Sequence, residues 1–124
     1  MNITCGTDII EIERIKKSIE DTNGKFINEI YTKNEIEYCE NRKRQKYQHY
    51  AARFAGKEAV FKAISIILEN KYDISWKDIE IIDDQNGRPH INFINKIFDK
   101  LISIDISLSH CKEYAIAYVV MMYK

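Results

Sequence analysis

The longest helical pattern in the chain runs from residue 47 to about residue 68, and one face of it consists of small side chains. Such a thin packing surface lets neighbouring elements approach the helix closely. Gly56 lies inside the same pattern, where a glycine costs about 1 kcal/mol relative to alanine. Its presence indicates that some other part of the molecule, such as a backbone segment, comes close. The small residues of this face are Ala51, Ala52, Ala55, Ala59 and Ala63.

Before this helix, the sequence predicts one strand and three shorter helices. Residues 3–10 are short, apolar and β-branched, as is typical of a strand. Apolar residues at helical spacing predict a helix that begins at residues 11–13 and a second one over residues 26–31. The third helix begins at a capping box, in which Thr32 and Glu35 can each bond the other's backbone N–H.

After the long helix, the sequence predicts two hairpins with a helix between them. In chain order these are strand-like alternation within 74–83, a strand over 90–93, a helix over 94–102, and strands over 104–110 and 114–123. Asn86-Gly87 is the strongest turn signal. Strands linked by hairpins, with the helices grouped together, indicate an α+β fold: a mostly antiparallel sheet packed with helices, including the long helix over 47–68. Without a Pro/Gly-rich linker, a single domain over residues 1–124 is expected.

The net charge of zero comes from 19 basic and 19 acidic residues, which disfavours a general polyanion-binding protein. The charge is unevenly spread, however. Residues 42–62 hold seven basic residues and one acid, Glu58, so this strip carries +6 and the remainder carries −6. The basic residues are Arg42, Lys43, Arg44, Lys46, Arg53, Lys57 and Lys62.

Cysteine usage and targeting signals point to a cytoplasmic protein. Three cysteines without a C-x-x-C pair favour neither a disulfide framework nor a zinc site. The first residues have no basic region, and an acid follows at Asp8, unlike a signal peptide. No apolar run approaches the roughly 20 residues that span a bilayer, so no membrane association is expected.

Asp8 and Glu58 are the acids placed most unusually. Asp8 lies inside an apolar strand pattern, where a charge is costly unless it is paired or bound to a metal. The alternative is an acid at the strand end, facing solvent or a helix N-terminus. Glu58 lies four residues after Phe54, so it places an acid in a helical stripe that is otherwise apolar. It also lies four residues before Lys62. Ordinary i,i+4 salt bridging on a solvated face is the alternative there.

Two further segments could contact phosphate. Ser109 and His110 end a predicted strand, where a hydroxyl and an imidazole can bind phosphate or can simply be polar residues of an edge strand. The run 42–46 is basic and lies beside Tyr47, His49 and Tyr50, which raises a nucleic-acid-binding module as an alternative function. No nucleic-acid-binding motif surrounds that run. His49 and His90 lack metal-binding spacing and are assigned to the surface or the core.

Four ordered segments together give the chain its resemblance to the holo-acyl-carrier-protein synthases, the small single-domain 4′-phosphopantetheinyl transferases. They are Gly6-Thr7-Asp8-Ile9-Ile10-Glu11-Ile12-Glu13-Arg14-Ile15, Arg53-Phe54-Ala55-Gly56-Lys57-Glu58-Ala59 with Lys62-Ala63, Trp76-Lys77-Asp78-Ile79-Glu80-Ile81 running to Asn86-Gly87-Arg88-Pro89, and Ser107-Leu108-Ser109-His110 running to Glu113-Tyr114-Ala115. A lone Lys-Glu-Ala on a helix is weak, whereas four segments in order over nearly the whole chain are specific.

The resemblance implies transfer of the phosphopantetheine arm of coenzyme A to a serine of apo-acyl carrier protein in fatty acid biosynthesis. Adenosine 3′,5′-bisphosphate is released. It also implies a homotrimer with active sites at the protomer interfaces. The matching Asp8 and Glu58 would bind Mg²⁺, which needs few protein carboxylates when phosphate and water complete its shell. Together with Lys62, which would reach the pyrophosphate, they form the implied catalytic set. The proton of the serine could pass to a metal-bound water or to a carboxylate such as Glu58.

The resemblance assigns further binding residues as well. Arg53, Ser109 and His110 resemble the positions that hold the nucleotide phosphates, and Lys62 joins them in binding coenzyme A. Arg14 matches the docking position for the acidic carrier protein, and Lys17 follows it, although a solvated helix face would also explain Lys17. Two departures from the family pattern are present: the segment 64–67 has no glycine, and Cys111 replaces the usual threonine after the histidine.

Overall fold

The fold is built on one long helix, α4 (Lys46–Ile64), which lies across a three-stranded antiparallel sheet. The computed structural model describes all residues 1–124. The sheet has the order β1 (Asn2–Glu11), β5 (Tyr114–Tyr123), β4 (Leu101–His110). Both flanking strands therefore pair with β5, the last strand of the chain.

The remaining elements surround α4. Three helices precede it and a two-stranded antiparallel hairpin follows it; they are α1 (Ile12–Asp21), α2 (Lys25–Ile30), α3 (Lys33–Glu40), β2 (Ile79–Asp83) and β3 (Pro89–Phe93). Short 3₁₀ turns occur at Lys43–Gln45, Ser65–Ile67, Lys71–Asp73 and Trp76–Asp78. These elements confirm the predicted α+β class with a mostly antiparallel sheet.

Glycines allow the close contacts that the small-residue face of α4 predicts. A Cβ added at Gly6 on β1 would fall on the carbonyl oxygen of Ala59, so strand and helix backbones touch there. A Cβ at Gly56 would lie 2.5 Å from Cδ1 of Ile81 and 3.1 Å from Cδ1 of Ile106. The close neighbours of Gly56 are therefore side chains, and the backbone contact occurs at Gly6 instead.

Two hydrophobic clusters meet along α4. One joins the helix to the inner face of the sheet and to β2, through residues such as Ala59, Ile81 and Val119. The other joins the first turns of α4 to α1, α2 and α3, and it includes Tyr31, whose hydroxyl donates to the Tyr50 carbonyl at 2.8 Å. Because α4 contributes to both clusters, it fixes the position of every other element.

The opposite face of the three-stranded sheet carries no other element of the chain. Its apolar side chains are 37–70% exposed, while the neighbouring residues along each strand are buried or half-buried against α4. We call this surface the outer sheet face; its large apolar residues are Ile3, Ile9, Ile116, Tyr118 and Val120. Exposed apolar surface of this extent commonly marks a protein interface.

A buried ion pair ties the helices to the hairpin. Lys57 and Glu35 have fully buried side chains, and the Lys57 Nζ lies 2.6 Å from Oε1 of Glu35. The same amino group donates to the carbonyls of Ile30 at 2.7 Å and Trp76 at 3.1 Å. Oε2 of Glu35 accepts from the Ile81 N–H at 2.8 Å. The predicted capping box between Thr32 and Glu35 is also present, so one carboxylate serves both the cap and the pair.

One predicted element is wrong. The segment 94–102 is not a helix: it forms turns, Asn95 has a φ of 55°, Ile97 is 91% exposed, and β4 begins at Leu101. Its apolar residues contact different partners instead of forming one helical face; the Phe98 ring, for example, meets the Phe93 ring edge-on with the centroids 5.1 Å apart. The long helix predicted to end at about residue 68 comprises α4 and the 3₁₀ turn Ser65–Ile67 that follows it, and the alternation expected within 74–83 forms β2 from residue 79.

Candidate functional site

Asp8 and Lys62 form the first part of the candidate site. Asp8 lies on β1 in register with Ala117, and its side chain points toward α4 with 19% exposure. The Lys62 Nζ lies 3.5 Å from Oδ1 of Asp8 and donates to the Thr7 carbonyl at 2.8 Å. The acid in the apolar strand is therefore neither directed at open solvent nor placed at a helix N-terminus. It faces the helix and meets a lysine.

Glu58 lies one turn before Lys62 on the same helix and completes what we call the Asp8 cluster, which consists of Asp8, Glu58 and Lys62. Burial raises the pKa of Glu58, the neighbouring Asp8 carboxylate raises it further, and Lys62 partly offsets both. The Lys62 amino group is bonded to Asp8 and makes no ion pair with Glu58 within 4.0 Å. Two carboxylates thus share a site where a further positive charge would relieve their repulsion.

A groove opens beside Glu58. It is a cavity of about 420 Å³ that Phe61 and Leu68 line with apolar surface. Ser65, Lys71 and Tyr72 complete its wall. The groove can hold part of an elongated ligand whose charged portion lies at the Asp8 cluster.

Arg53 belongs to a second group of side chains, away from the Asp8 cluster. It is 2% exposed, and its Nη2 lies 3.3 Å from Oδ1 of Asp83. The Tyr38 ring contacts two guanidinium groups, with the Cζ of Arg53 4.0 Å and that of Arg42 4.4 Å from its centroid. The Tyr38 hydroxyl donates to Oδ2 of Asp83 at 2.9 Å. The Arg53 Nε is buried and has no hydrogen-bond partner.

His49 and His110 extend this second group. Their ring centroids are 5.7 Å apart, and the His49 ring lies 5.4 Å from that of Tyr38. Burial and the positive charges of Arg53 and Arg42 lower the pKa of His49 to about 4. The imidazole is therefore neutral at pH 7. We call this group the Arg53 cluster; it consists of Tyr38, Arg42, His49, Arg53, Asp83 and His110.

The two clusters lie on different sides of α4. At about 100° per residue, Glu58 is rotated about 140° from Arg53 around the helix axis, and Lys62 about 180°. The structure thus brings Asp8, Glu58 and Lys62 together, and separately Arg53 and His110. Ser109 points away from His110, onto the outer sheet face, because neighbouring residues of a strand face opposite sides.

His49, Tyr38 and Arg42 are candidate site residues that the sequence analysis did not assign to the coenzyme A site. It named Arg42 and His49 only with the basic run 42–46, and His49 lies four residues before Arg53, which places both side chains on nearby parts of the helix surface. Tyr38 and Arg42 join them only because α3 packs against α4.

Arg14 and Lys17 lie on the solvent face of α1. Both are exposed, and their i,i+3 spacing places them side by side. The opposite face of the helix is buried through Ile12, Ile15 and Ile19. The Lys16 side chain instead lies over the Tyr47 ring of α4, with its Nζ 5.6 Å from the ring centroid.

The two departures from the family pattern have local structural consequences. The segment after α4 forms a 3₁₀ turn, in which the Ser65 hydroxyl donates to the Lys62 carbonyl at 2.8 Å. The backbone N–H of Cys111, a possible substitute for the missing threonine hydroxyl, donates to the Tyr114 carbonyl at 2.9 Å within the hairpin. That N–H is therefore not free in the protomer.

Comparison with known proteins identifies the family. The family profile for the 4′-phosphopantetheinyl transferase superfamily matches residues 4–119. The chain belongs to this superfamily. Its similarity to curated members extends over nearly its full length: it is 47% identical to the holo-[acyl-carrier-protein] synthase of Ruminiclostridium cellulolyticum, covering 98% of this chain and 92% of the relative. It is 44% identical to that of Protochlamydia amoebophila, covering 97% and 98%.

A solved member of the 4′-phosphopantetheinyl transferase superfamily shares the fold. The holo-(acyl-carrier-protein) synthase from Bacillus anthracis, crystallised in complex with CoA (3′,5′-ADP), superposes with a TM-score of 0.78 at 34% identity. The match covers 95% of this chain and 94% of that one. The resemblance inferred from the four segments is confirmed. No helix in the structure has the length and apolar character needed to cross a bilayer.

Proposed function

We propose that the protein is a holo-acyl-carrier-protein synthase. It moves the 4′-phosphopantetheine arm of coenzyme A to a serine of apo-acyl carrier protein and releases adenosine 3′,5′-bisphosphate. The Asp8 cluster carries this proposal: two carboxylates and one lysine converge beside a groove, in a chain closely similar to synthases over nearly its whole length. Relatives with that name and a coenzyme A complex support the same substrates.

Asp8 and Glu58 would hold Mg²⁺ in this proposal. Mg²⁺ takes oxygen ligands and usually binds one or two protein carboxylates, with phosphate and water filling the remaining positions. The cluster suits that requirement, since it supplies two carboxylates. Bound there, the ion would neutralise charge on the pyrophosphate as the leaving group departs.

Lys62 would bind the pyrophosphate. Its ammonium group is a compact point charge on a flexible stem. The side chain is 53% exposed and bonded to Asp8 and the Thr7 carbonyl, so it can turn toward an incoming anion without leaving a buried charge unpaired. In the transfer, the serine oxygen bonds to the phosphorus that carries pantetheine, and the bond to the leaving bisphosphate breaks. A carboxylate such as Glu58 would accept the serine proton.

The Arg53 cluster would hold the remaining phosphate of coenzyme A. Arg53 and His110 lie within it and supply positive charge and a hydrogen-bonding imidazole. Ser109 faces the outer sheet face, so its hydroxyl would contribute where that face meets another protomer. Arg14 and Lys17 would orient the acidic carrier protein on α1, a role in which exposed charges chiefly accelerate and align the encounter.

The proposal includes a homotrimer, which the resemblance implies and which the position of the two clusters supports. They lie on different sides of α4, while the outer sheet face leaves large apolar side chains exposed. Head-to-tail contacts that close a ring place one surface of each protomer against a different surface of the next. Such a ring would join the Asp8 cluster of one protomer to the Arg53 cluster of its neighbour, which gives one complete site at each interface.

The proposal also includes one catalytic domain over residues 1–124, a cytoplasmic location and a role in fatty acid biosynthesis. Binding of nucleic acid is not part of it. Two side chains of the basic run that suggested such binding already have partners within the protein: Arg42 stacks on Tyr38, and Lys46 lies 3.3 Å from Glu40.

The test is to incubate the protein with coenzyme A, Mg²⁺ and apo-acyl carrier protein, and to weigh the carrier by mass spectrometry. The proposal expects the gain of one phosphopantetheine arm, which EDTA abolishes and added Mg²⁺ restores. A carrier with its acceptor serine replaced by alanine is the control and should gain nothing. If the native carrier is unmodified under every condition, the proposed activity is wrong; modification that resists EDTA would remove only the metal.

A further inference from the structure

The Arg53 cluster contains an imidazole that the proposed mechanism does not use. His49 lies in the first turn of α4, half-buried, between the ring of Tyr38 and the ring of His110. Its ring nitrogens bond no other protein group, and because the ring is only half-buried they remain accessible from outside. A hydrocarbon ring would fill the same space between Tyr38 and His110, so what the imidazole adds at this position is two nitrogens that are available to a ligand.

The charges around His49 favour an anion. Arg42 and Arg53 contribute two positive charges, and Asp83 contributes one negative charge, which Arg53 and Tyr38 already engage. These three side chains therefore carry about one uncompensated positive charge. The buried Arg53 Nε has no partner within the protein. The N-terminus of α4 adds a further attraction for negative charge at this position.

We propose that His49 is a phosphate-binding residue of the coenzyme A site, which takes up a proton as it binds the phosphate monoester of the ligand. This inference rests on the proposed function and extends it to a residue and a proton that the resemblance does not assign. The pyrophosphate of coenzyme A is reserved for the Asp8 cluster. The phosphate monoester on the ribose is the remaining anion, and it is dianionic near pH 7.

The proton uptake follows from the neighbours of His49. Without ligand, burial, the charges of Arg53 and Arg42 and, to a smaller extent, His110 lower the pKa of His49 to about 4, and only Asp83 opposes them. A dianion bound beside His49 makes the local charge negative and raises that pKa. A group with a higher pKa in the complex than in the free protein binds a proton on complex formation. Affinity must then fall as pH rises through the pKa of the complex.

The experiment compares coenzyme A with dephospho-coenzyme A, which lacks only the ribose phosphate, by titration calorimetry on the full-length protein. His49→Phe keeps the aromatic packing and removes the nitrogens. We expect it to weaken coenzyme A binding about tenfold at pH 6, the loss typical of one hydrogen bond to a charged group. Binding of dephospho-coenzyme A should stay unchanged. Repeating the titrations in buffers of different ionisation enthalpy should show proton uptake with coenzyme A, and none with His49→Phe.

His49→Gln is the second variant, since it keeps a hydrogen-bond donor but cannot titrate. It should retain part of the affinity and lose the dependence on pH. The inference is overturned if His49→Phe binds coenzyme A as tightly as the native protein, or if it weakens both ligands equally. A native protein that modifies the carrier but shows no proton uptake would refute this inference alone, whereas one that binds neither ligand would refute the proposed function as well.

Discussion

Glu58 illustrates how a single residue can be placed for function at some expense of stability. Its carboxylate is partly buried next to Asp8, and both the burial and the neighbouring charge disfavour its ionised form. A carboxyl group whose pKa is raised in the folded state destabilises the fold above that pKa, and the stability recovers as pH falls through it. A cation at this position would remove the unfavourable interaction, which is consistent with the role proposed for the pair.

Replacing this carboxylate should separate activity from stability. We expect Glu58→Gln to lower the transfer rate by at least about 100-fold, as is typical when a group that stabilises transition-state charge is removed. The melting temperature at pH 7 should stay the same or rise, because the amide carries no charge near Asp8. Glu69→Gln, at an exposed acid outside the cluster, should change neither. A parallel loss of activity and melting temperature in Glu58→Gln would point to a structural role instead.

At the scale of elements, the Lys57–Glu35 pair bonds α4 to α2, α3, the 3₁₀ turn at Trp76–Asp78 and β2. Burial lowers the pKa of Lys57, and Glu35 opposes that shift. At 2.6 Å, with two carbonyls as additional acceptors, the ammonium group is fully bonded. The lysine that stands directly before Glu58 in the sequence therefore points into the core and holds the helix that presents Glu58.

Breaking this pair should destabilise the whole domain. Lys57→Met leaves the Glu35 carboxylate buried without its partner, a loss that typically costs about 3–5 kcal/mol. Chemical denaturation should show it as a lower midpoint with an unchanged slope. The double variant Lys57→Met with Glu35→Gln removes both charges and keeps an amide oxygen as an acceptor, so it should recover part of the loss. Lys25→Met is the matched control, since the Lys25–Glu29 pair is exposed, and it should change the midpoint little. Equal effects of the two lysine substitutions would contradict the assignment.

At the scale of the whole molecule, the protomer presents an apolar sheet face and two charged clusters that it does not itself bring together. Assembly would cover the apolar sheet face and would bring the two charged clusters of neighbouring protomers together. Substitutions can test each of these consequences separately.

Charge on the outer sheet face should prevent assembly. Ile9 is 61% exposed on β1, and we expect Ile9→Lys to shift the protein from the proposed trimer toward monomer in light scattering, with loss of transferase activity. Ile97 is 91% exposed but lies outside this face, so Ile97→Lys should leave both the mass and the activity unchanged. A trimeric, active Ile9→Lys variant would show that the subunits associate through another surface.

Sites shared between protomers should allow complementation. Asp8→Ala disables the Asp8 cluster and His110→Ala disables the Arg53 cluster, so each trimer alone should be nearly inactive. Mixing the two proteins under conditions that exchange subunits should restore part of the activity, because some interfaces then pair two intact clusters. Mixing Asp8→Ala with Glu58→Gln should restore none, since both changes lie in the same cluster. Absence of recovery in the first mixture would place each complete site within one protomer.

The sequence by itself determined the local elements and the family. The capping box at Thr32, the turn at Asn86-Gly87 and the strand alternation before His110 follow from bonding and periodicity within a few residues, and the structure has all three. The prediction of a helix over 94–102 was wrong because it, too, relied only on a pattern within a few residues. Its apolar spacing matched a helix, but its side chains pack on different partners, which a local pattern cannot reveal.

Only the tertiary structure decided how the charged residues are grouped. Asp8 is 50 or more positions from its partners Glu58 and Lys62 in the sequence, and it meets them because Gly6 lets β1 lie against the backbone of α4. The basic strip looked continuous, yet the helix turns Arg53 and Lys62 to different sides and buries Lys57. It also places His49 beside His110. The sequence gives only the total charge of a segment. A binding site depends on where each charged side chain points and how far it lies from the others, and tertiary packing sets both.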